Sequence, residues 1–236
     1  MKLEEVKSAF DDADKYLRNN TSIPVRIKLI SKMLNEIHFR DYIELGCGDG
    51  SIALSLLDEK RRAVLIDFSR EMIERAKEKT PPELIKNVKY EVGNIFTYET
   101  EDKFDLLLCI GVLAHVPSIE KLFVKIDSLL STKGYLVLQF TEARSLFGWI
   151  IYKFMRKSGS GYSVNKTSIL ILHKLLSFYN YELLEKQVYS DSGMGLGLYS
   201  LELAEKFKLW TSRINMPGIF SEVILLLRRV PNTPIL

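Results

Sequence analysis

A glycine-rich run and an acid one apolar segment later have the residue types and spacing of a ligand site. Gly46-Cys47-Gly48-Asp49-Gly50 comes directly after the apolar run Asp41–Leu45. Glycine has no side chain, so a loop rich in it lets the backbone approach a ligand closely. Asp67 ends the next apolar run, where a carboxylate is able to accept hydrogen bonds from both hydroxyls of a ribose. The pattern therefore predicts a site for a nucleotide-like ligand.

The spacing of the glycines distinguishes between kinds of nucleotide ligand. Dinucleotide-binding loops follow GxGxxG, whereas this loop reads GxGxG and has Ser51 where that motif has its last glycine. The departure favours a ligand without a pyrophosphate. The competing structural interpretation is that the glycines form only a tight turn and that Asp67 only caps a helix. The correct spacing of the two features favours the ligand site.

Apolar runs alternate with amphipathic stretches along the chain, and this alternation must position the loop and the acid. Strand, helix and strand at such spacing predict right-handed βαβ units in a mostly parallel sheet, which binds ligands beyond the carboxyl ends of its strands. We expect an α/β, Rossmann-like fold with a seven-stranded, mostly parallel sheet, helices on both faces and an antiparallel hairpin at one edge. The predicted strands are Asp41–Leu45, Ala63–Ile66, Val88–Val92, Phe104–Ile110, Tyr135–Phe140, Tyr181–Tyr189 and Glu222–Arg229. The predicted helices are Lys2–Arg18, Ile23–Ile37, Ser51–Leu57, Arg70–Lys79, Ile119–Leu130, Lys166–Tyr179 and Leu201–Ile214, and Gly134 is predicted to form the turn before the fifth strand.

The composition is that of an ordinary folded domain. Of the 236 residues, 47% are hydrophobic and 27% are charged, and the net charge of +3 is interpreted as spread along the chain without a dense basic tract. Nucleic acid is therefore not the expected partner, and no apolar run is long enough to span a bilayer. The two cysteines form no CxxC motif and the charged N-terminus has no apolar signal core, so we expect a cytoplasmic protein. We expect no metal site and a single domain, with a helical cap in residues 1–40, a ligand-binding core in 41–140, and a substrate-side insert with the last strands in 141–236.

The motifs around these residues resemble those of the class I S-adenosylmethionine-dependent methyltransferases. The resemblance is closest to the small-molecule branch that includes ubiquinone, menaquinone and sugar-modifying enzymes, and it runs from about Asp41 to Phe140. The motifs stand in the order IELGCGDG, LIDFSREMIERAKEK, KYEVGNIFTYE and KFDLLLCIGVLAHVPS. The resemblance implies methyl transfer from S-adenosyl-L-methionine to an oxygen or nitrogen atom of a small-molecule substrate, such as a sugar or a lipid-linked biosynthetic intermediate.

The resemblance also implies which residues hold the cofactor. Its amino-acid part would lie along Glu44 and the glycine loop, and Asp67 would bind the ribose. The adenine would lie against Phe68, Asn94 and Ile95, although the family usually has aspartate at the position of Asn94. The methionine moiety would pass near the end of the fourth strand. The full set is Glu44, Gly46, Cys47, Gly48, Gly50, Asp67, Phe68, Asn94, Ile95, Cys109, Ile110 and Gly111.

An oxygen nucleophile normally needs a general base, whereas an uncharged amine needs less help. The candidate base is His115 in GVLAHVP, because it follows the fourth strand and many relatives have histidine there; ordering of the loop is its alternative role. Glu142 and Arg144 follow the fifth strand and face either the substrate or solvent. The stretch Leu146–Met155 has three interpretations, namely a lid over an apolar substrate, plain packing, or a membrane-surface helix. The glycine-rich run 192–200 is a second candidate lid.

Other functions remain as alternatives. A nucleic-acid methyltransferase that acts on exocyclic nitrogens usually has paired prolines after the fourth strand, and this sequence has Cys109-Ile110-Gly111-Val112 there. A protein-arginine methyltransferase needs two acids in the loop that follows, and GVLAHVPS has none. A non-catalytic protein that binds the cofactor and acts as a regulatory partner is the third alternative, and the cofactor motifs do not exclude it.

Overall fold

The computed structural model describes residues 21–155, 165–190 and 200–231, and these residues build one sheet of seven strands. The strands are β1 (Asp41–Leu45), β2 (Arg62–Asp67), β3 (Val88–Val92), β4 (Phe104–Ile110), β5 (Leu130–Thr141), β6 (Tyr181–Tyr189) and β7 (Glu222–Arg229). Their spatial order is β3-β2-β1-β4-β5-β7-β6. The first five strands run parallel, and β7 is antiparallel to both of its neighbours, β5 and β6. The predicted fold class, with an antiparallel pair at one edge, is confirmed.

Two hydrophobic clusters attach helices to the two faces of this sheet. Side chains alternate along a strand, so Tyr42 of β1 joins one cluster and Ile43 joins the other. The Tyr42 cluster holds the helices before and between the first strands, and the Ile43 cluster holds two later helices. The helices are α1 (Ser22–Met33), α2 (Ser51–Leu54), α3 (Arg70–Lys79), α4 (Ile119–Leu129), α5 (Leu146–Met155), α6 (Ile169–Phe178) and α7 (Leu201–Ile214).

Several predicted helices are shorter in the structure. Helix α1 ends at Met33 rather than Ile37, and α2 has only four residues because the chain turns away after Leu54. Helix α6 begins at Ile169 because the Ser168 hydroxyl accepts a hydrogen bond from the Ile171 N–H, which makes Ser168 its N-cap. The predicted helix Lys2–Arg18 and nearly all of the glycine-rich run 192–200 lie outside the described residues.

Gly134 lies where the chain of β5 leaves the regular ladder, at the position of the predicted turn. Phe104 of β4 pairs with Leu130 and Leu106 pairs with Tyr135, so the residues between Leu130 and Tyr135 loop out of the pairing with β4. A Cβ atom on Gly134 would stand 2.7 Å from Leu130 Cγ and 3.0 Å from the Phe104 carbonyl oxygen. Glycine is therefore required here by the close approach of two strands, since an interior strand glycine marks an irregular ladder as well as a turn.

Candidate functional site

The glycine loop between β1 and α2 has a backbone conformation that only glycine adopts readily. The φ angles of Gly46, Gly48 and Gly50 are +70°, +54° and +72°. A Cβ on Gly46 would stand 2.7 Å from Val112 Cγ2, whereas the space beside Gly48 is open to 4 Å. The N–H groups of Gly46 and Cys47 both donate to the Ile66 carbonyl, at 2.8 and 2.9 Å. The loop is thus fixed to β2 and leaves room for a ligand at Gly48.

Asp67, at the carboxyl end of β2, contacts the glycine loop directly. One carboxylate oxygen accepts the Gly48 N–H at 2.9 Å, and the other accepts the Ser69 N–H at the start of α3, also at 2.9 Å. The side chain is 7% exposed. Burial raises its pKa, and the backbone hydrogen bonds from Ser69, Gly48 and Phe68 oppose that rise. A carboxylate has about four lone-pair sites, so Asp67 can hold the loop and still accept from a ligand.

Glu44 and Asp49 are the other two buried acids of this region. Glu44 is 1% exposed, and its carboxylate accepts the Ala53 N–H at 3.0 Å. Burial raises the pKa of Glu44 to about 8, and the charges of Asp49 and Asp67 add to the rise. Asp49 forms an ion pair with Lys79 at the end of α3. Asp49 therefore joins the loop to α3, whereas Glu44 holds a proton near neutral pH.

The predicted adenine-side residues follow β2 and β3. The Asn94 side-chain oxygen accepts the Phe96 N–H at 3.0 Å, and its carbonyl accepts from Thr97 and Tyr98. The side chain of Asn94 thus shapes the turn after β3, a task that an amide performs as well as a carboxylate. Ile95 is 9% exposed and packs in the core, and Phe68 is half-buried.

The end of β4 brings a third backbone segment to the same edge of the sheet. Cys109 is fully buried, and Ile110 is 7% exposed. Burial raises the pKa of the Cys109 thiol, and likewise that of Cys47. Gly111 has a φ of +75° and its N–H donates to the Gln139 carbonyl at 3.2 Å. The chain therefore turns sharply at Gly111, immediately beside β5.

His115 lies in a single 3₁₀ turn, Leu113–His115, that follows this bend. Its backbone N–H donates to the Val112 carbonyl at 2.9 Å. Burial lowers the pKa of the half-buried imidazole to about 4. His115 is therefore uncharged at neutral pH, which suits a proton acceptor, but it is a weak base.

A buried polar cluster that sequence reasoning missed lies on the other side of Gly111. The Glu222 carboxylate, which is 2% exposed, accepts hydrogen bonds from the Gln139 amide and, at 2.8 Å, from the Thr141 hydroxyl. The Arg26 guanidinium stands 3.6 Å from the same carboxylate, and its Nε donates to the Tyr189 hydroxyl at 3.1 Å. Four elements, α1, β5, β6 and β7, thus contribute to one cluster.

The position of Gln139 connects this cluster to the predicted site. If Gly111 had a Cβ atom, that atom would lie 3.6 Å from Gln139 Oε1 and 3.8 Å from Arg26 Nη1. Gln139 is 1% exposed, and its Oε1 has no hydrogen-bond partner among the residues the structure describes. A buried acceptor without a donor costs free energy, of the order of 1–3 kcal/mol. The sequence signal for this cluster is weak, namely a polar residue inside the apolar strand β5 and an acid at the start of β7.

Glu142 and Arg144 have different roles from each other. Glu142 is buried, and its two carboxylate oxygens accept the N–H groups of Arg144 at 2.9 Å and of Ile169 at 2.8 Å. It therefore attaches the loop after β5 to the first turn of α6, rather than facing solvent. Arg144 is exposed and lines two open clefts, with volumes of about 200 and 720 Å³.

The sequence of this chain is similar to those of known methyltransferases. A model of a family described as a methyltransferase domain matches residues 40–169, more than half of the chain. A ubiquinone biosynthesis O-methyltransferase from Rickettsia bellii is 24% identical over 119 residues, which are 49% of each protein. The chain therefore spans about half the length of the curated relatives that it matches.

Solved structures with the same fold cover nearly the whole chain. A possible histamine N-methyltransferase from Thermotoga maritima has a TM-score of 0.65 at 17% identity. The superposition covers 94% of this chain and 99% of the Thermotoga chain. The N-methyltransferase NodS from Bradyrhizobium japonicum, in complex with S-adenosyl-L-homocysteine, has a TM-score of 0.63 at 16% identity, with coverage of 91% and 90%. Within the part of the chain that the structure describes, no helix is long and apolar enough to cross a membrane.

Proposed function

The chain belongs to the methyltransferase domain family, and we propose that it is an S-adenosylmethionine-dependent methyltransferase that acts on a small molecule. One observation carries the proposal: the carboxylate of Asp67 accepts a hydrogen bond from Gly48, so that a glycine cradle and a buried acid meet at one edge of the sheet. Ligands of open α/β sheets bind beyond the carboxyl ends of the strands. The family match and this local geometry support the same ligand class.

The residues at this edge fit S-adenosylmethionine. The open space beside Gly48 accommodates a ligand close to the backbone. Asp67 would accept hydrogen bonds from the ribose hydroxyls, and Phe68, Asn94 and Ile95 would line the adenine side. Glu44, with the backbone of Gly46 to Gly50 and of Cys109 to Gly111, would lie along the amino-acid part. Glu44 has a raised pKa and would ionise when a cation approaches it.

The chain's own contribution to the reaction is binding, orientation and one proton transfer. The bound cofactor supplies a methyl group already activated by the positive charge of its sulfur. An in-line displacement requires that the acceptor be held against that methyl and that water be excluded. His115, uncharged because burial lowers its pKa to about 4, accepts the proton that the acceptor loses.

The buried cluster beside Gly111 is the acceptor side of this proposal. Gln139 Oε1 is buried and has no hydrogen-bond partner within residues 21–155, 165–190 and 200–231, and we propose that it accepts a hydrogen bond from an O–H or N–H of the acceptor when the acceptor displaces the residues that cover it. The Arg26–Glu222 pair fixes the orientation of Gln139, since the Glu222 carboxylate accepts from the Gln139 amide. We propose that the acceptor is a small molecule methylated on an oxygen or nitrogen atom, and the classes to test are sugars, lipid-linked biosynthetic intermediates, phenols and amines.

We also propose a reducing, cytoplasmic setting and a single domain. Cys47 and Cys109 are both free and buried, which agrees with a compartment that does not form disulfides.

Calorimetric titration tests the cofactor assignment, and a transfer assay tests the enzyme. We expect micromolar binding of S-adenosylmethionine and S-adenosylhomocysteine, and no binding of NAD. Radiolabelled methyl transfer to a panel of sugar, phenol and amine acceptors should then give turnover. Binding without turnover on the whole panel would favour the non-catalytic partner, and binding of NAD alone would contradict the proposal.

A further inference from the structure

The net positive charge of this protein comes from one segment that contains no acids. Residues 143–181 contain six of the 33 lysines and arginines and none of the 30 acids, so the segment carries +6 and the rest of the chain −3. The expectation of evenly spread charge is therefore wrong. Helices α5 and α6 both lie in this segment.

Helix α6 presents an apolar and basic face to solvent. Leu172 and Leu176 pack in the core, whereas Leu170 is 58% exposed, Ile171 46% and Phe178 76%. Lys174 is also exposed. It lies on the same side of the helix as Leu170 and Phe178, because residues four apart share one side of a helix. Phe178 is the most exposed large hydrophobic residue among those described.

Helix α5 adds a second face of the same character. Leu146 is 55% exposed and Trp149 57% exposed, one turn apart. Lys153 is exposed one further turn along, with its Nζ 4.8 Å from the centre of the Trp149 ring. Apolar side chains with a tryptophan and a lysine on one face are typical of helices that lie at a lipid interface.

Hydrogen bonds join the segment that precedes α5 to the start of α6. The Ala143 N–H donates to the Thr167 carbonyl at 2.8 Å, and Glu142 attaches the loop before α5 to the first turn of α6. The larger cleft between these elements is lined by Arg144, Lys166 and Lys174 over a floor of leucine and isoleucine side chains, with Glu120 as its one acid. We call the exposed residues of the two helices and of this cleft the basic apolar surface, namely Arg144, Leu146, Trp149, Lys153, Lys166, Leu170, Ile171, Lys174 and Phe178.

We propose that the basic apolar surface docks on a membrane that contains anionic lipids. The interface of such a membrane accepts apolar side chains and attracts lysine and arginine, at about 1 kcal/mol for each, or about fivefold in partition. A nucleic-acid partner does not account for the exposed leucine, isoleucine and phenylalanine side chains, and two copies of a surface with excess positive charge repel each other. The surface adjoins the carboxyl end of β5, so docking brings the proposed acceptor site close to the lipid headgroups.

Vesicle binding tests this surface. The protein carries two tryptophans, so Trp210→Phe leaves Trp149 as the single fluorescent reporter. We expect the Trp210→Phe protein to sediment with vesicles of equal parts phosphatidylcholine and phosphatidylglycerol, with a blue shift of Trp149 emission. We expect binding to phosphatidylcholine alone to be about tenfold weaker or less, and binding to the anionic vesicles to weaken with salt.

Charge reversal provides the matched comparison. Lys166→Glu with Lys174→Glu should weaken binding to the anionic vesicles about 25-fold or more. Lys60→Glu with Lys86→Glu makes the same charge change on exposed lysines near the β2 and β3 edge and should leave binding nearly unchanged. Equal losses in the two pairs, equal binding to neutral vesicles, or a concentration-dependent oligomer that buries Trp149 without lipid would each overturn the proposal.

Cofactor binding is a separate readout in the same variants. Neither charge-reversed pair includes a residue placed at the cofactor edge, so titration with S-adenosylmethionine should give the same affinity in all of them. Loss of vesicle binding with that affinity intact supports the surface assignment. Vesicle binding without any cofactor binding would contradict the proposed function and leave the surface assignment standing.

Discussion

Replacement of Asp67 by asparagine is the sharpest test of the cofactor edge. Asparagine has nearly the same size but carries one carbonyl oxygen and no charge. In the wild-type protein the two carboxylate oxygens accept from Gly48 and Ser69. In Asp67→Asn one of those N–H groups must face the side-chain NH₂ group, and the remaining oxygen has less capacity for a ligand hydroxyl.

The expected loss follows from the kind of hydrogen bond that is removed. A hydrogen bond to a charged group contributes about 1.5–3 kcal/mol, roughly twice the contribution of a neutral one. Loss of about that amount weakens the binding of S-adenosylmethionine by about ten- to a hundredfold. The side chain is 7% exposed, so solvent does little to screen the change.

Asp49→Asn is the matched control, because Asp49 is 5% exposed and belongs to the same loop. Its carboxylate forms an ion pair with Lys79, whereas the Asp67 carboxylate contacts Gly48, beside which the ligand space lies. We expect Asp49→Asn to change cofactor affinity by less than about threefold, because loss of a partly exposed ion pair affects chiefly stability, by about 1 kcal/mol or less. The assay is calorimetric titration of both variants, with thermal unfolding to confirm that each is folded. Unchanged affinity in folded Asp67→Asn, or equal losses in the two variants, would refute the ribose assignment.

Three further expectations concern proton transfer and the acceptor. His115→Ala should lower kcat at least about tenfold with cofactor affinity unchanged. In the wild-type protein, kcat should stay level above about pH 5 and fall only as the pH drops through about 4. A fall in kcat near pH 6.5 would contradict the low pKa of His115. Between about pH 4.5 and 8, Glu44 is ionised in the unfolded state but protonated in the folded state. The free energy of unfolding of the wild-type protein should therefore fall with rising pH by up to about 5 kcal/mol relative to that of Glu44→Gln, as measured by denaturant titration. Parallel pH profiles of the two proteins would contradict the raised pKa of Glu44. Gln139→Met should raise the KM of the acceptor about tenfold while cofactor affinity holds, and an unchanged KM would remove Gln139 from the acceptor site.

The cofactor edge could be predicted from sequence because its residues are local. Glu44 and the glycine loop are contiguous, and the acid of the next strand follows after one short helix. The bounds of β1, β3 and β4 agree with the predicted strands. Strand β4 was the clearest of the three, since a parallel strand buried on both faces reads as a nearly continuous hydrophobic segment. Short elements were less predictable. Helix α2 has a single turn, whose backbone at Ala53 is hydrogen-bonded to the Tyr42 hydroxyl and to the Glu44 carboxylate of β1.

The acceptor side could not be predicted, because its residues meet only in three dimensions. Arg26 and Tyr189 are 163 residues apart and Gln139 and Glu222 are 83 apart, yet each pair is in hydrogen-bond contact. A single polar residue in an apolar strand has no periodic signal, and its partner depends on strand order. Placement of β7 between β5 and β6 is what brings Glu222 opposite Thr141.

The low pKa of His115 narrows the kind of acceptor that this site can serve. An imidazole with a pKa of about 4 is too weak a base to remove a proton efficiently from an aliphatic sugar hydroxyl. A sugar hydroxyl is a far weaker acid than a phenol, whose pKa is about 10. An uncharged amine has no need of a base before the transfer, and the cation that forms loses its proton readily afterwards. Gln139 Oε1 accepts equally from an amine N–H and from a phenolic O–H. Basicity at His115 and hydrogen-bond capacity at Gln139 together favour an amine or an aromatic hydroxyl over a sugar hydroxyl.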